Sequence, residues 1–325
     1  MLAVAEHLDT VNLPADLKSI EGLLDRSQRS FAAELPIVDR EFLFVLEDLT
    51  TKRIIGTSMI YAQHGTKRAP HIFFRVENDE RYSVTLDRYM VHQTLRIGYN
   101  YNGPTEIGGL ILLPEYRRNT DALGKALSYV RFLFMRMHRE LFRDHVLSEL
   151  LPPLGDDGTS KLWEALGRHF TGLTYQEADR LSKDNKEFIH ALFPDDPIHT
   201  ELLPEDVRAI IGQVGEDTRG VEKMLRRIGF EYAEQIDPFD GGPHFIATTN
   251  DISVVRDAKE SLVRAHEGEG KRWAILGHEL AGANPGFRAI GTRVTALESG
   301  VVGLSEDARR RLAIEDGQKV WLSYG

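Results

Sequence analysis

The 325-residue sequence contains no cysteine. Disulfide bonds, thiolate metal sites and a cysteine acyl-enzyme are therefore excluded. Any group transfer that this chain catalyses must be direct or must use another nucleophile.

Long hydrophobic runs are also missing, since no apolar stretch approaches the roughly 20 residues that a membrane-spanning helix needs. The first ten residues, MLAVAEHLDT, lack the basic region and apolar core of a signal peptide. A net charge of −10 gives no basic excess and argues against nucleic-acid partners. We therefore expect a cytoplasmic chain with neither nucleic-acid nor membrane partners.

The composition that is present, 42% apolar and 28% charged, is that of an ordinary globular protein. The length suggests more than one domain. We predict a first domain over residues 1–250, with a helical insertion at about 152–203. A helix followed by a small β-rich subdomain is predicted over residues 251–325.

The stretch at 105–144 combines an apolar run, a polar turn and a long helical pattern. Residues 109–113 are too apolar for a solvated strand, and Pro114 ends the run because proline lacks a backbone donor. The spacing predicts that a long helix opens at Gly124, with Arg131 on its solvated side. Its apolar face carries Leu123, Leu127, Val130, Phe134, Met137 and Leu141.

A buried strand, a basic turn and a helix start together favour an anion site. The first N–H groups of a helix lack intrahelical acceptors, and the helix dipole adds to their attraction for a pyrophosphate. Arg117, Arg118 and Lys125 would add positive charge. The alternative is a purely structural strand and helix with a basic surface turn.

Two common phosphate loops do not fit this turn. A P-loop would need glycine at Asn119 and serine or threonine at Ala126, and a dinucleotide fingerprint would need more glycines than Gly124. The turn instead resembles the Arg-x-x-Gly-x-Gly/Ala turn of the GNAT acetyltransferases, which holds the pyrophosphate of coenzyme A. Its spacing here is longer by one or more residues.

Other patterns predict the remaining elements. We expect a helix over 14–31, a hairpin formed by 41–48 and 54–61, and strands at 71–76, 82–86, 94–97, 145–150 and 230–236. Further helices are expected at 160–170, 184–193, 204–212, 218–228 and 252–266, with a capping box at Thr174 and Glu177. Beyond Trp273, short β-like runs and one small helix near 305–312 predict a β-rich end.

Several motifs together resemble the arginine N-succinyltransferase family, whose members open a bacterial arginine-degrading pathway. The matching stretches include FVLED at 44–48, TEIGGLILLPEYR at 105–117, LWEALGRHF at 162–170, FIHALFPDDPI at 188–198, AIIGQV at 209–214 and DPFDGGP at 237–243. They run in family order over most of the chain. The chain is therefore identified as a divergent member of that family.

This resemblance implies an α+β fold with the mixed sheet of the GNAT acyltransferases. It also implies succinyl-CoA as donor, the α-amino group of arginine or ornithine as acceptor, and assembly into a homo-oligomer or a hetero-oligomer with a paralogue. Coenzyme A is expected to meet Leu110, Ile111 and Leu112 in the strand, and Arg117, Arg118, Gly124 and Lys125 in the turn.

Departures from the family concern the chemistry. Gly215 stands where the family carries the histidine regarded as its proton donor. Leu225 occupies the position of the tyrosine that other acetyltransferases use. The glutamate, arginine and glycine that the family has after the fifth strand are replaced in this chain by a sequence that keeps only Glu149.

Four residues remain as candidates for catalysis or acceptor binding. Glu216, beside Gly215, could act as a carboxylate base, and Glu149 could be catalytic or hold a cationic substrate. His169 could be a displaced acid, and Asp240 could line the acceptor site. Each could equally be a solvated or structural residue.

The histidines are spread without metal-ligand spacing, and no second histidine follows His278 and Glu279 as a zinc motif requires. We therefore predict no metal. Two alternatives to a self-sufficient enzyme stay open. The chain could be a non-catalytic or partner-dependent subunit of this family, or an N-acyltransferase for another amine or acyl donor.

Overall fold

The computed structural model describes residues 17–67, 69–117, 121–155, 158–182, 185–268, 270–280, 282 and 286–325. The strands are β1 Glu41–Asp48, β2 Arg53–Tyr61, β3 His71–Ser83, β4 Arg88–Asn100, β5 Thr105–Leu112, β6 His145–Glu149, β7 Ile198–His199, β8 Glu231–Ile236, β9 Pro243–Thr248, β10 Lys259–Ala265, β11 Arg272–Glu279, β12 Phe287–Glu298, β13 Val301–Leu304 and β14 Lys319–Tyr324.

The α-helices are α1 Leu17–Phe31, α2 Leu123–Met137, α3 Arg168–Thr171, α4 Tyr175–Ser182, α5 Glu187–Leu192, α6 Glu205–Arg208, α7 Arg219–Arg227, α8 Ser253–Arg256 and α9 Glu306–Leu312. Within the described ranges, no helix combines the length and apolar character needed to cross a membrane. The chain forms two units. The first comprises the residues up to Gln63, Thr105–Val146 and Thr248–Gly325, and the second comprises His64–Pro104 and Leu147–Ala247.

In the first unit, β1, β2 and β5 are consecutive antiparallel neighbours. The predicted hairpin is confirmed, with Glu41 opposite Tyr61. Helix α1 lies against β1, where the hydroxyl of Ser27 accepts a hydrogen bond of 2.9 Å from the Leu43 N–H. Its apolar face enters the core through Ile20 and Leu23.

Helix α2 confirms the long helical pattern, but the expectation that Arg131 faces solvent is wrong. Every residue from Ala126 to Met135 is buried, and Arg131 is only 2% exposed. The helix contacts β2 and β5, and strands of the carboxy-terminal β-sheet also contact it. Over residues 126–135 the helix is covered on several sides and has no solvated face, whatever its amphipathic pattern.

The β-rich end is confirmed as a closed barrel with strand order β10-β13-β12-β11-β14. The predicted helix over 252–266 is wrong, because only Ser253–Arg256 is helical and Lys259–Ala265 is a strand. Leu262 and Val263 pair with β13, and Ser261 and Val263 are buried on the face that alternation provides. The alternating pattern extends over too few residues in this segment to distinguish a strand from a helix by sequence.

In the second unit the strand order is β6-β9-β8-β3-β4-β7. The long hairpin of β3 and β4 pairs His71 with Asn100 and Ser83 with Arg88. The strand predicted at 82–86 is therefore wrong beyond Ser83. Val84 and Leu86 lie in the exposed turn, and Asp87 adopts a left-handed φ of 45°.

Helices of the second unit cover one core. The capping box is confirmed, since the Thr174 N–H donates to Glu177 Oε2 at 2.9 Å and the Glu177 N–H donates to Thr174 Oγ1 at 3.3 Å. Trp163 is fully buried, and its ring stacks on Phe239 with centroids 5.0 Å apart. The predicted helix at 160–170 contains a π-helical turn at Trp163–Gly167.

Candidate active site

The end of β5 and the start of α2 form the predicted coenzyme-binding turn. Ile111 is buried in the core, whereas Leu110 and Leu112 are half-buried. Arg117 folds back so that its Nε donates to the Leu112 carbonyl at 2.9 Å. A Cβ added to Gly124 would lie 3.8 Å from Leu112 Cδ2. Leu112, Arg117 and Gly124 are therefore neighbours.

At the amino-terminal end of α2, the side chain of the N-cap residue makes no capping hydrogen bond. Ala122, the residue before the helix, has a left-handed φ of 55° and offers no side-chain acceptor. The predicted lysine points elsewhere, because Lys125 Nζ lies 4.2 Å from the centroid of the Trp273 ring in the barrel. Arg118 lies outside the described residues.

A buried guanidinium supports the same strand. Arg131 donates from Nη1 to the Gly108 carbonyl at 3.3 Å and from Nη2 to Ser128 Oγ at 2.9 Å. Gly109 has a left-handed φ of 55° beside an irregularity in the pairing with β2. Burial lowers the pKa of Arg131 to about 9. The bulge therefore has both a glycine that permits its backbone and an arginine that binds it.

In the second unit, three histidines surround the carboxylate of Glu149. Glu149 Oε1 lies 3.3 Å from His71 Nε2 and 3.4 Å from His244 Nε2. The rings of His71 and His244 are stacked with centroids 5.2 Å apart, and the His64 ring lies 4.6 Å from that of His71. Both His71 and His244 are buried. This group, with Asp237, is called the histidine cluster below.

Burial and charge oppose each other in the histidine cluster. Burial acts to raise the pKa of Glu149, but the histidines, His244 first, outweigh it and hold this pKa well below its ordinary value. Burial lowers the pKa of His244 to about 3. At neutral pH Glu149 in this cluster is therefore ionised.

The DPFDGGP segment forms a closed turn next to this cluster. The Phe239 N–H donates to Asp237 Oδ1 at 2.6 Å, and the Gly242 N–H donates to Asp240 Oδ1 at 2.7 Å. Burial first, then the charge of Glu149, raises the pKa of Asp237 to about 7. Burial and the charge of Asp237 raise the pKa of Asp240 well above its ordinary value.

A polar cavity of about 490 Å³ also lies in the second unit, a volume that suits a small-molecule ligand. Its lining includes Arg219, Lys223, Glu222, Glu234 and Tyr232. Glu234 has a left-handed φ of 54°, where the pairing of β8 with β9 is irregular. A non-glycine residue held in this conformation is a frequent feature of ligand-binding sites.

The family model described as "Arginine N-succinyltransferase beta subunit" matches residues 1–254. The chain belongs to the arginine N-succinyltransferase family. Among similar proteins, the arginine N-succinyltransferase of Yersinia pestis is 34% identical over 263 residues, which are 81% of this chain and 74% of the relative. That of an Enterobacter species is 32% identical over 259 residues, covering 79% and 74%.

A solved structure extends this likeness to the barrel. The arginine/ornithine succinyltransferase subunit AI from Pseudomonas aeruginosa matches with a TM-score of 0.83 at 28% identity. The match covers 99% of this chain and 94% of that chain. The predicted family and the predicted fold, a mixed sheet with helices and a β-rich end, are thereby confirmed.

Membership in the arginine N-succinyltransferase family makes Gly215 the notable position. A Cβ added there would lie 2.7 Å from the Pro152 carbonyl oxygen. The Gly215 N–H donates to the Leu151 carbonyl at 2.9 Å, so the two backbones are held in contact. A histidine therefore has no room at this position with the present backbone.

The sequence-predicted residues divide into two sets. Glu149 and Asp240 lie in or beside the histidine cluster, within electrostatic reach of each other. Glu216 is 87% exposed at the side chain and lies 3.7 Å from Arg219, and His169 is exposed on α3. Neither belongs to the cluster, and their catalytic roles stay predictions.

Sequence reasoning missed His64, His71 and His244. Asp237 belongs to the DPFDGGP turn, which on sequence alone could either close the sheet or line the acceptor site. A signal does exist, because His71 and His244 each follow a proline at the start of a strand, in PHIF and PHFI. Spacing along the chain could not reveal the cluster, since its members come from distant segments.

Proposed function

We propose that this chain is an acyl-CoA-dependent N-acyltransferase of arginine catabolism. It transfers the succinyl group of succinyl-CoA to the α-amino group of arginine. The family membership over residues 1–254 carries this proposal, and the relatives named for the same reaction support it.

In the proposed reaction the neutral α-amine attacks the thioester carbonyl. The C–N bond forms and the C–S bond breaks. A base takes the proton from the amine, and coenzyme A leaves as a thiolate that then receives a proton. Fixed N–H donors must meet the carbonyl oxygen as its charge grows. The absence of cysteine fits direct transfer.

Coenzyme A is proposed to bind at the β5–α2 turn. Leu110, Ile111 and Leu112 would line the pantetheine arm, with the backbone as the contact of the buried Ile111. The N–H groups at the start of α2, which the side chain of Ala122 does not cap, would hold the pyrophosphate together with Arg117 and Arg118. Lys125 would have to leave the Trp273 ring to join them.

Gly124 supports this placement. Glycine inside a helix costs about 1 kcal/mol relative to alanine. Among the described residues outside its own helix turn, the nearest heavy atom to its missing Cβ is Leu112 Cδ2 at 3.8 Å. Packing of the chain therefore does not require glycine at this position, whereas a bound ligand would need the open space. Gly124→Phe should abolish coenzyme A binding in calorimetry without lowering the melting temperature.

The matched control for this variant is Gly220→Phe. Gly220 is also helical, and its added Cβ would meet nothing within 4 Å. Full coenzyme A affinity in Gly124→Phe, or equal losses in both variants, would refute the placement.

We propose that arginine binds in the cavity that Glu234 lines. Glu149 and Asp240, the candidates from the sequence, are the alternative acceptor-binding residues. Free arginine carries a guanidinium and a carboxylate, and the cavity offers Glu222 and Glu234 with Arg219 and Lys223. Arg226 donates to Glu222 at 2.8 Å, which leaves Glu234 as the better guanidinium partner. Glu234→Gln should raise the KM for arginine roughly tenfold with kcat less affected.

The function is tested by thiol release from several acyl-CoAs with arginine, ornithine, lysine and polyamines. The proposal predicts the highest kcat/KM with succinyl-CoA and arginine. Turnover restricted to another amine or acyl donor would replace the substrate assignment while keeping the acyltransferase class.

A partner-dependent role is the second candidate, since Gly215 excludes the family's histidine and the solved relative is named as a subunit. It requires a hetero-oligomer with a paralogue, whereas a self-sufficient enzyme could be a homo-oligomer. Either assembly would act in the cytoplasm, where acyl-CoA is available. The pure chain is assayed alone and with a co-encoded paralogue. Full solitary turnover would eliminate this candidate.

A further inference from the structure

The histidine cluster has the donor set of a transition-metal site. One ligand atom each from His64, His71 and Glu149 can be chosen so that all three lie within 4.8 Å of one another. Two imidazoles and one carboxylate form a common ligand set for zinc and for other divalent transition ions. We propose that His64, His71 and Glu149 bind one divalent transition-metal ion, with zinc as the representative ion.

The distances within the cluster fit this assignment. Ligand atoms at about 2.0–2.1 Å from a tetrahedral zinc ion are roughly 3.3 Å apart. His71 Nε2 and Glu149 Oε1 are 3.3 Å apart, so this edge of the coordination shell is already formed. The His64 ring lies 4.6 Å from that of His71 and is only partly buried, and its ligand atom lies within 4.8 Å of the other two.

His244 supplies the support that metal-binding carboxylates need. Its Nε2 lies 3.4 Å from Glu149 Oε1, and the residue is fully buried. Among the described residues, neither ring nitrogen of His244 has a hydrogen-bond partner. When Glu149 binds a metal, His244 can donate to the carboxylate and orient it, as outer residues commonly do.

Charge also favours a cation here. Asp237 forms a second group with Glu149 and His244, whose ligand atoms likewise lie within 4.8 Å of one another. A divalent ion beside Glu149 would neutralise the carboxylates that share this buried space. Three protein ligands would leave at least one coordination position for water or another small ligand.

A competing set lies on the exposed part of the second unit. His92, His199 and Glu201 also bring ligand atoms within 4.8 Å, but Glu201 is exposed and neither histidine is buried. This set provides a matched control, because it has the same residue types without the enclosure.

The test uses the full chain without an affinity tag, stripped with a chelator and then dialysed against zinc. We expect about one zinc per chain by elemental analysis and a melting temperature about 4 °C higher at a hundredfold excess over Kd. Cobalt should give the visible absorption of a tetrahedral site. Magnesium should cause neither change, because histidine is a poor ligand for it.

Variants assign the ion to its residues. His71→Phe and Glu149→Gln should each lower the zinc affinity at least a hundredfold, and His199→Ala should retain it. Should both core variants fail to fold, the partly buried His64→Ala gives the same readout. No stoichiometric zinc in the parent chain, or a loss in His199→Ala alone, would overturn the proposal. None of these measurements depends on turnover, so a failed acyltransferase assay would leave the result unaffected.

Discussion

At the residue scale, Gly215 is the main difference from the family, because the resemblance expects a histidine at this position. Its backbone touches that of Pro152, so the glycine is required by packing as it stands. The proton-donor role that the resemblance gives to a histidine at this position is therefore expected to fall to a group elsewhere. The change is not a loss that one substitution can reverse.

This contact predicts the result of Gly215→His. The added Cβ would approach the Pro152 carbonyl oxygen to 2.7 Å, so the backbone must shift at a cost of about 1–3 kcal/mol. Urea unfolding should show this loss, and thiol release should not rise. A variant as stable as the parent and more active would contradict the packing argument.

Asp48 gives a prediction for pH dependence. The Thr50 N–H at 2.9 Å and the Thr51 hydroxyl at 2.8 Å donate to its carboxylate, and these bonds lower the pKa of Asp48 below 3.8. A lowered folded-state pKa stabilises the fold above pH 3.8, and this stabilisation is lost as pH falls through the folded-state pKa.

Asp48→Asn should therefore lower the urea midpoint at pH 7, and its difference from the parent should shrink below pH 4. Thr51→Val, which removes the Thr51 hydroxyl donor, should give a smaller effect of the same sign. A difference that is constant from pH 7 to pH 3 would disprove the role of the ionised carboxylate.

At the scale of elements, the helices of the second unit depend on one aromatic stack. Trp163 lies within the π-helical turn, stacks on Phe239 and donates from Nε1 to the Leu173 carbonyl at 3.0 Å. Removing this side chain leaves a large cavity. The free energy of unfolding should fall by about 3–5 kcal/mol in Trp163→Ala.

Phe170→Ala is the control for that variant, because Phe170 is already 37% exposed. Its loss should be clearly smaller in the same denaturation experiment. Equal losses for the two variants would mean that Trp163 does not anchor these helices.

The elements also differ in how far their local sequence determines whether they form a helix, a strand or a turn. The hairpin of β1 and β2 and the capping box at Thr174 and Glu177 depend on neighbours a few residues away, and both are confirmed. The segment at 259–265 has a local pattern that fits a helix or a strand. Pairing with β13 and β14 makes it a strand.

At the scale of the molecule, the barrel completes the first unit. A Cβ added to Gly291 would lie 2.7 Å from Ala126 Cβ, and one added to Gly277 would lie 3.0 Å from Leu133 Cδ2. Both contacts are with α2, the helix whose amino-terminal end forms part of the proposed coenzyme A site. The barrel, whose strands all lie beyond residues 1–254 of the family match, therefore supports that helix.

Gly291→Val should push the barrel from α2 and lower the free energy of unfolding by about 1–3 kcal/mol. Gly220→Ala also adds a methyl group, but in open space on a helix, and should stabilise the chain by up to about 1 kcal/mol. Denaturation of both variants tests the close contact. An unchanged free energy of unfolding in Gly291→Val would mean that the close contact between barrel and helix does not stabilise the fold.

The predicted domain division, with a first domain at 1–250 and a second at 251–325, stays a prediction.

The sequence by itself determined the family and most of the regular elements, because motif order and hydrophobic periodicity are written in neighbouring residues. It also determined the exclusions that follow from the absence of cysteine. Only the tertiary structure decided that Arg131 is buried and that Gly215 has no room for a side chain. It alone brought His64, His71, Glu149 and His244 together. Burial and contact depend on which distant segments pack together, and no local pattern contains that information.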